Sequence, residues 1–185
     1  MYYRPTGSVA ADVIPFRRAD IFQLFYLRDF RDIEKCGEGT PWYLLETKDF
    51  IDFTEKGEVI SRGGEQDQDL YIFTGSVFEK DGMGYIFYTG HNPHFPEKGK
   101  NQEVIMMAES KDFQRWAKVK DFSLSAPDCF EPHDFRDPFV FINEETGEYN
   151  MLLAARVNYG PSRRRGCTAV AVSRDLISWE VKEEP

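Results

Sequence analysis

The chain has 185 residues, 41% of them apolar and 15% aromatic, enough to hide roughly 70% of the surface that its unfolded form exposes. A formal charge of −9 at pH 7 argues against nucleic acid as a partner, because phosphates would be repelled. No apolar run approaches the ~20 residues that a helical membrane span needs, so no membrane partner is expected.

Sixteen Phe, nine Tyr and three Trp favour strands over helices. Alternation and turn residues predict a first set of strands at 9–16, 21–28, 42–46 and 58–60, with Arg17-Arg18-Ala19-Asp20 as a hairpin turn. A second set follows at 70–79, 84–89, 103–109 and 117–119, turned first by Lys80-Asp81-Gly82 and interrupted by a Pro-rich loop at 91–100. A third set falls at 135–142, 149–155, 167–173 and 180–182, with a turn at 143–147. The second strand of each set is apolar and aromatic, and is predicted to be buried on both faces.

Each set carries the same signature before its fourth strand. Thr47-Lys48-Asp49-Phe50-Ile51-Asp52-Phe53, Ser110-Lys111-Asp112-Phe113-Gln114-Arg115-Trp116 and Ser173-Arg174-Asp175-Leu176-Ile177-Ser178-Trp179 begin 63 residues apart. A hydroxyl, a cation and an Asp, closed by an aromatic at that period, suit a four-stranded propeller blade and exceed the length of helical hairpin repeats. The expected fold is all-β: a propeller in which the chain forms about three blades, near 5–62, 68–126 and 133–185. Asp49, Asp112 and Asp175 are expected to bond backbone amides, and the closing aromatics to pack between blades.

Function is expected where the repeat is broken. Asp12, in Ala10-Ala11-Asp12-Val13-Ile14-Pro15-Phe16, and Asp137, in Asp134-Phe135-Arg136-Asp137-Pro138-Phe139, lie on the predicted innermost strands of the first and third units. Two carboxylates in one polar pocket, with Arg136 beside one of them, are raw material for glycoside hydrolysis. On the residues alone, a second reading stands equally: both acids simply cap strand ends.

Arg163-Arg164-Arg165 follows Gly160-Pro161-Ser162 at a predicted hairpin tip. It reads either as a solvated loop or as a grip for a phosphate or a partner's carboxylates. His91, His94, His133 and Cys129 lack the spacing of a shared tetrahedral ion, so no metal and no cofactor are expected. Cys36, Cys129 and Cys167 are odd in number and far apart, which predicts reduced thiols. The opening residues Met1-Tyr2-Tyr3-Arg4-Pro5 show no secretory pattern, and the cytoplasm is the expected compartment.

Arg136-Asp137-Pro138 resembles the Arg-Asp-Pro motif of glycoside hydrolase family 32, the invertase, levanase and inulinase family, in a five-bladed clan with families 43, 62 and 68. Trp42 to Phe53 is similar to the family's Trp-Gly-His-Ala, Ser-x-Asp-Leu and Trp run. Phe73-Thr74-Gly75-Ser76 resembles its Trp-Ser-Gly-Ser element, and Ile21–Leu27 its His-Leu-Phe-Tyr-Gln strand. The resemblance implies a β-fructosidase working by retaining double displacement on a carbohydrate substrate. It makes Asp12 the nucleophile, Asp137 the transition-state stabiliser, Arg136 its orienting partner, and Trp42, Thr74 and Ser76 the wall of the sugar subsite. Departures are Ala11-Asp12-Val13-Ile14-Pro15 for Asn-Asp-Pro-Asn-Gly, Leu27 for a sugar-binding Gln, and Tyr43-Leu44-Leu45 for Gly-His-Ala.

The family's third acid, the Glu of its Glu-Cys motif, would fall about one period beyond Asp137, past Pro185. Glu131 lies in the predicted loop before a strand, and Glu65, Glu103 and Glu109 have no better claim to that role. The resemblance therefore implies a fragment with little hydrolytic activity of its own. A non-catalytic carbohydrate-binding piece, and a chain completed by another polypeptide, are the competing readings. Uncovered ends of a three-blade arc predict self-association or a complementary chain.

Overall fold

A computed structural model describes residues 3–183 of the chain. Twelve strands form three four-stranded antiparallel sheets, each a simple meander. The first contains β1 (Val9–Arg18), β2 (Ile21–Asp29), β3 (Trp42–Thr47) and β4 (Thr54–Ile60); the second contains β5 (Tyr71–Lys80), β6 (Met83–His91), β7 (Glu103–Ser110) and β8 (Ala117–Lys118). The third contains β9 (Phe130–Ile142), β10 (Tyr149–Val157), β11 (Gly166–Ser173) and β12 (Glu180–Val181). The blades meet through their first strands, β1 against β5 and β5 against β9, and they do not close into a ring. Among the described residues the only α-helix is one turn, Ile33–Cys36, far too short to cross a membrane.

The repeated signature folds the same way three times. The Thr47 hydroxyl accepts the Phe50 amide at 2.9 Å, and Asp49 accepts the amides of Ile51 and Asp52 at 2.9 and 3.0 Å. Ser110 with Asp112, and Ser173 with Asp175, make the equivalent bonds. Those acceptors let the chain pass through a left-handed residue at Phe50, Phe113 and Leu176, φ 58°, 61° and 71°, before it enters the fourth strand. The closing aromatics then stitch blades together: Trp116 meets Phe25 of the first blade edge-on at 5.7 Å, and Trp179 meets Phe87 of the second at 5.6 Å. Among the described residues Phe53 rests instead on Tyr3.

Two apolar cores fill the blade interfaces. Phe25, Leu27, Trp42 and Leu44 of the first blade pack with Ile72, Ile86 and Tyr88 of the second. Phe87, Ile105 and Met107 of the second pack with Phe135, Met151 and Leu153 of the third. Fully burying a side chain of this size stabilises by about 1.5–3 kcal/mol, so each interface is worth far more than any single turn.

Three departures from the sequence expectation stand out. Strand β4 starts at Thr54 rather than 58, because Thr54 and Glu55 already pair with Glu46 and Leu45. Strand β9 starts at Phe130 rather than 135: Phe130 is buried opposite Val157, so Glu131 belongs to the strand and not to a preceding loop. Strand β10 is not buried on both faces, since Leu152 is half-buried and Ala154 exposed, no blade covering its far side among the described residues.

Candidate active site

Every innermost strand carries an irregularity at the same level. In β1 the register jumps between Ala11 and Val13, leaving Asp12 as an extra residue. In β5 Phe73 and Thr74 oppose Thr89 alone, and in β9 Asp137 and Pro138 oppose Leu153 alone. These are β-bulges, which bend a strand and redirect a side chain. Asp12 and Asp137 both have positive φ, 41° and 57°, a conformation that non-glycine residues rarely hold. Gly75 closes the middle bulge: a Cβ there would lie 2.0 Å from the Phe87 carbonyl oxygen, so only glycine lets β5 approach β6 so closely.

The bulges aim Asp12, Thr74 and Asp137 into one cavity of about 440 Å³, whose wall also includes Leu27, Phe73 and Arg136. The Thr74 hydroxyl donates to Asp12 Oδ2 at 2.5 Å. Thr89, fully buried, accepts the Asp137 amide at 2.8 Å and donates to the Thr74 carbonyl at 3.3 Å, so one hydroxyl ties two bulges together. Arg136 reaches Glu103 at 3.2 Å, Asp134 at 2.5 Å and Asp137 at 3.8 Å. Glu103 is 3% exposed and also accepts the Phe135 amide at 3.1 Å.

Asp137 and Glu103, two of the three acids around Arg136, differ in proton affinity. Burial pushes Asp137 above the usual carboxylate range, and the neighbouring guanidinium offsets this only in part, with Glu103 and Asp12 adding like charge. Burial also opposes ionisation of Glu103, but His91, Arg136 and the Phe135 amide together hold it below its ordinary value. Glu103 is therefore a fixed anion that braces Arg136. Of the other cavity acids, Asp29 is paired with Arg31 at 2.9 Å.

Trp42 and Ser76 are placed elsewhere. Trp42 is fully buried between Phe25 and Tyr88, with its indole N–H donating to the Phe73 carbonyl, so its ring cannot form the cavity wall as the resemblance implied. The apolar surface there comes from Phe73 and Tyr71. Ser76, 3% exposed, accepts the Val140 amide at 3.0 Å and fastens β5 to β9. The three histidines have separate partners. His91 stacks on Phe73 at 4.3 Å, His94 bonds Glu38, and His133 accepts the Gln102 amide. Among the described residues no group of three or more His, Cys, Asp or Glu side chains converges on a metal position. Sequence reasoning missed Thr89 and Glu103 as site-building residues; both are buried polar groups, and their burial is set by the neighbouring blade rather than by the strand pattern.

Residues 14–185 match the model of the glycosyl hydrolases family 32 N-terminal domain. The chain belongs to glycosyl hydrolases family 32. Asp12 lies just ahead of the matched span, so its place in the site rests on the bulge and the bond to Thr74. A sucrose-6-phosphate hydrolase of Staphylococcus xylosus is 26% identical over 144 residues, 77% of this chain and 27% of that protein. The fructan 1-exohydrolase IIa of Cichorium intybus superposes with a TM-score of 0.79 at 18% identity, covering 99% of this chain and 33% of the other. A sucrose-6-phosphate hydrolase of Lactobacillus gasseri gives 0.75 at 20%, covering 93% and 33%. The chain thus spans about a quarter to a third of these family 32 relatives, and their fold is shared over nearly all of it.

Proposed function

We propose that this chain supplies the nucleophile-bearing part of a family 32 β-fructosidase, acting on sucrose, a fructo-oligosaccharide or a fructan with retention of configuration. The observation that carries the reading is the pair of acids, Asp12 and Asp137, held at positive φ on innermost strands of different blades and facing one cavity. In this reading Asp12 attacks the anomeric carbon of the fructosyl unit and forms a covalent glycosyl intermediate, which water then releases. Thr74 fixes the attacking carboxylate by its hydrogen bond. Asp137, oriented by Arg136 and by the Thr89 bond to its own amide, binds hydroxyls of the sugar as the oxocarbenium-like transition state forms. Phe73 and Tyr71 offer the apolar face.

The leaving oxygen needs a proton, and none of the remaining cavity acids suits that task. Asp29 is ion-paired and Glu103 is held ionised. Glu131 is paired with Arg165 and Arg156. The proton donor is accordingly assigned to polypeptide outside these 185 residues. Exposed Phe139 and Phe141 on β9, with Val13 on β1, offer apolar surface for further blades or a complementary chain to cover.

The test is the stereochemistry of cleavage by the complete protein that carries this chain. NMR of the first-formed fructose from a β-fructoside should show the β-anomer, and Asp12→Asn should abolish release while the fold persists. Initial α-anomer would defeat the double-displacement reading, and full activity in Asp12→Asn would remove Asp12 from the mechanism.

A further inference from the structure

His91 is a titratable side chain, 11% exposed, that the proposed reaction does not use. It ends β6, paired with Tyr71 of β5 on one side and with Glu103 of β7 on the other. Residues directly opposite in antiparallel strands point to the same face, so the three side chains form a row across the second blade. Tyr71 and Glu103 line the Asp12–Asp137 cavity, as does Phe73, and His91 stands behind them.

The imidazole makes two kinds of contact. Its ring stacks on Phe73 with centroids 4.3 Å apart and planes 24° from parallel, and it meets Tyr71 edge-on at 5.9 Å. It thus backs both aromatic residues that give the cavity its apolar face. Its Nδ1 is buried 3.4 Å from Glu103 Oε1, close enough to pair as an imidazolium but without the alignment of a good hydrogen bond. Glu103 Oε2 takes Arg136 at 3.2 Å and the Phe135 amide at 3.1 Å, and Arg136 lies 3.8 Å from Asp137. Contacts therefore run from the aromatic face through His91, Glu103 and Arg136 to the acid.

The groups that face the ring come from three strands and one loop. From β5 comes Tyr71, a neutral phenol donating to Glu38; from β7, Glu103; from β9, Arg136 with Asp134 and Asp137 beyond it. The Nε2 edge meets the uncharged Gln102 side chain at 3.5 Å, with His133 farther out on the Gln102 backbone amide. Glu103 is thus shared. A carboxylate that serves two cations neutralises each less than it would one alone, so a proton on His91 leaves Arg136 more positive charge to offer Asp137.

We propose that His91 is a positioning residue of this site: its ring sets the aromatic face on which a sugar rests, and its proton, through Glu103, sets how strongly Arg136 holds Asp137 as an anion. The inference rests on the proposed function for the sugar, but not for the coupling to Asp137.

Two substitutions in the complete protein take the two roles apart. His91→Phe keeps a ring behind Phe73 and removes the charge, whereas His91→Gln removes both and keeps a donor for Glu103. Carbon-13 NMR of the Asp137 carboxyl, assigned with Asp137→Asn, should show its titration displaced to higher pH in both variants, by about threefold in proton affinity. With sucrose or a fructo-oligosaccharide as substrate, KM should rise at least about threefold in His91→Gln and stay within about twofold in His91→Phe. A merely structural histidine would lower thermal stability and move neither readout. An unmoved Asp137 titration in both variants overturns the coupling, and equal KM values in the two overturn the aromatic role. Should His91→Phe not fold, His91→Gln still reads the titration, and its KM against that of the parent reads the face. A protein that cleaves no β-fructoside defeats the proposed function, and the titration then decides this inference by itself.

Discussion

The outer turns and the inner bulges of the three blades are both repeated, but they repeat different things. At the outer turns, Asp49, Asp112 and Asp175 occupy equivalent positions, make the same amide bonds and do the same structural work. At the inner bulges the backbone irregularity recurs, yet the side chains are Asp12, Thr74 and Asp137. Their proton affinities diverge accordingly. Backbone amides hold all three turn acids below the usual carboxylate range, Asp175 at about 2, whereas burial raises Asp137. Architecture copies both backbone and side chain. A site keeps the repeated backbone as a mount and varies what stands on it.

The largest expected effect breaks the comparison outright. In the complete protein, and on the proposed double-displacement reading, Asp12→Asn should lower kcat by about 10⁴- to 10⁶-fold, the range in which loss of one member of a catalytic unit falls. Asp112→Asn, an equally regular acid on the outer turn, should leave turnover per folded molecule unchanged. Steady-state kinetics on both variants, normalised to folded protein by circular dichroism, is the check, and a similar loss in each would erase the distinction.

Thr74 sharpens it further. Thr74→Val removes the hydroxyl that bonds Asp12, and kcat should fall roughly tenfold, the equivalent of one charged hydrogen bond near 1.5 kcal/mol, with Thr74→Ser restoring most of it. A fall in stability without a change in kcat would make Thr74 structural after all.

On the turns the effect should appear in stability instead. Ser110→Ala removes the acceptor for the Phe113 amide, and urea unfolding should show a loss of about 1 kcal/mol. Turnover should not respond.

The smallest effects concern pH, and their signs are opposite in the two regions. Asp175, depressed to about 2 in the folded chain, contributes stability that is present above about pH 4 and is lost as pH falls toward 2. Asp137, raised by burial, costs stability once pH exceeds its unfolded value near 4. Asp137→Asn should therefore raise Tm slightly at pH 7 and not at pH 3, whereas Asp175→Asn should lower it at pH 7 and not at pH 2. Thermal melts across that range would reveal a reversed sign in either variant.

Much of this was legible along the chain. The 63-residue echo determined the number of blades, the all-β class and the role of the turn acids, because a turn is a local structure whose donors and acceptors lie within a few residues. Arg136-Asp137-Pro138 and Asp12 stood out because they departed from that echo. What tertiary structure alone decided was which polar groups share a space. The bulges that turn Asp12, Thr74 and Asp137 inward exist only relative to a partner strand, and no single-strand pattern reveals an extra residue. The family resemblance implied that Trp42 lines the sugar subsite, but it is buried between blades, and the half-buried Phe73 lines the cavity because the β5 bulge brings it there. Glu103 and Arg136 lie on different blades, as do Thr89 and Asp137. Such pairs are fixed by blade packing, which depends on apolar surfaces far from either residue, and so they emerge only when the blades are assembled.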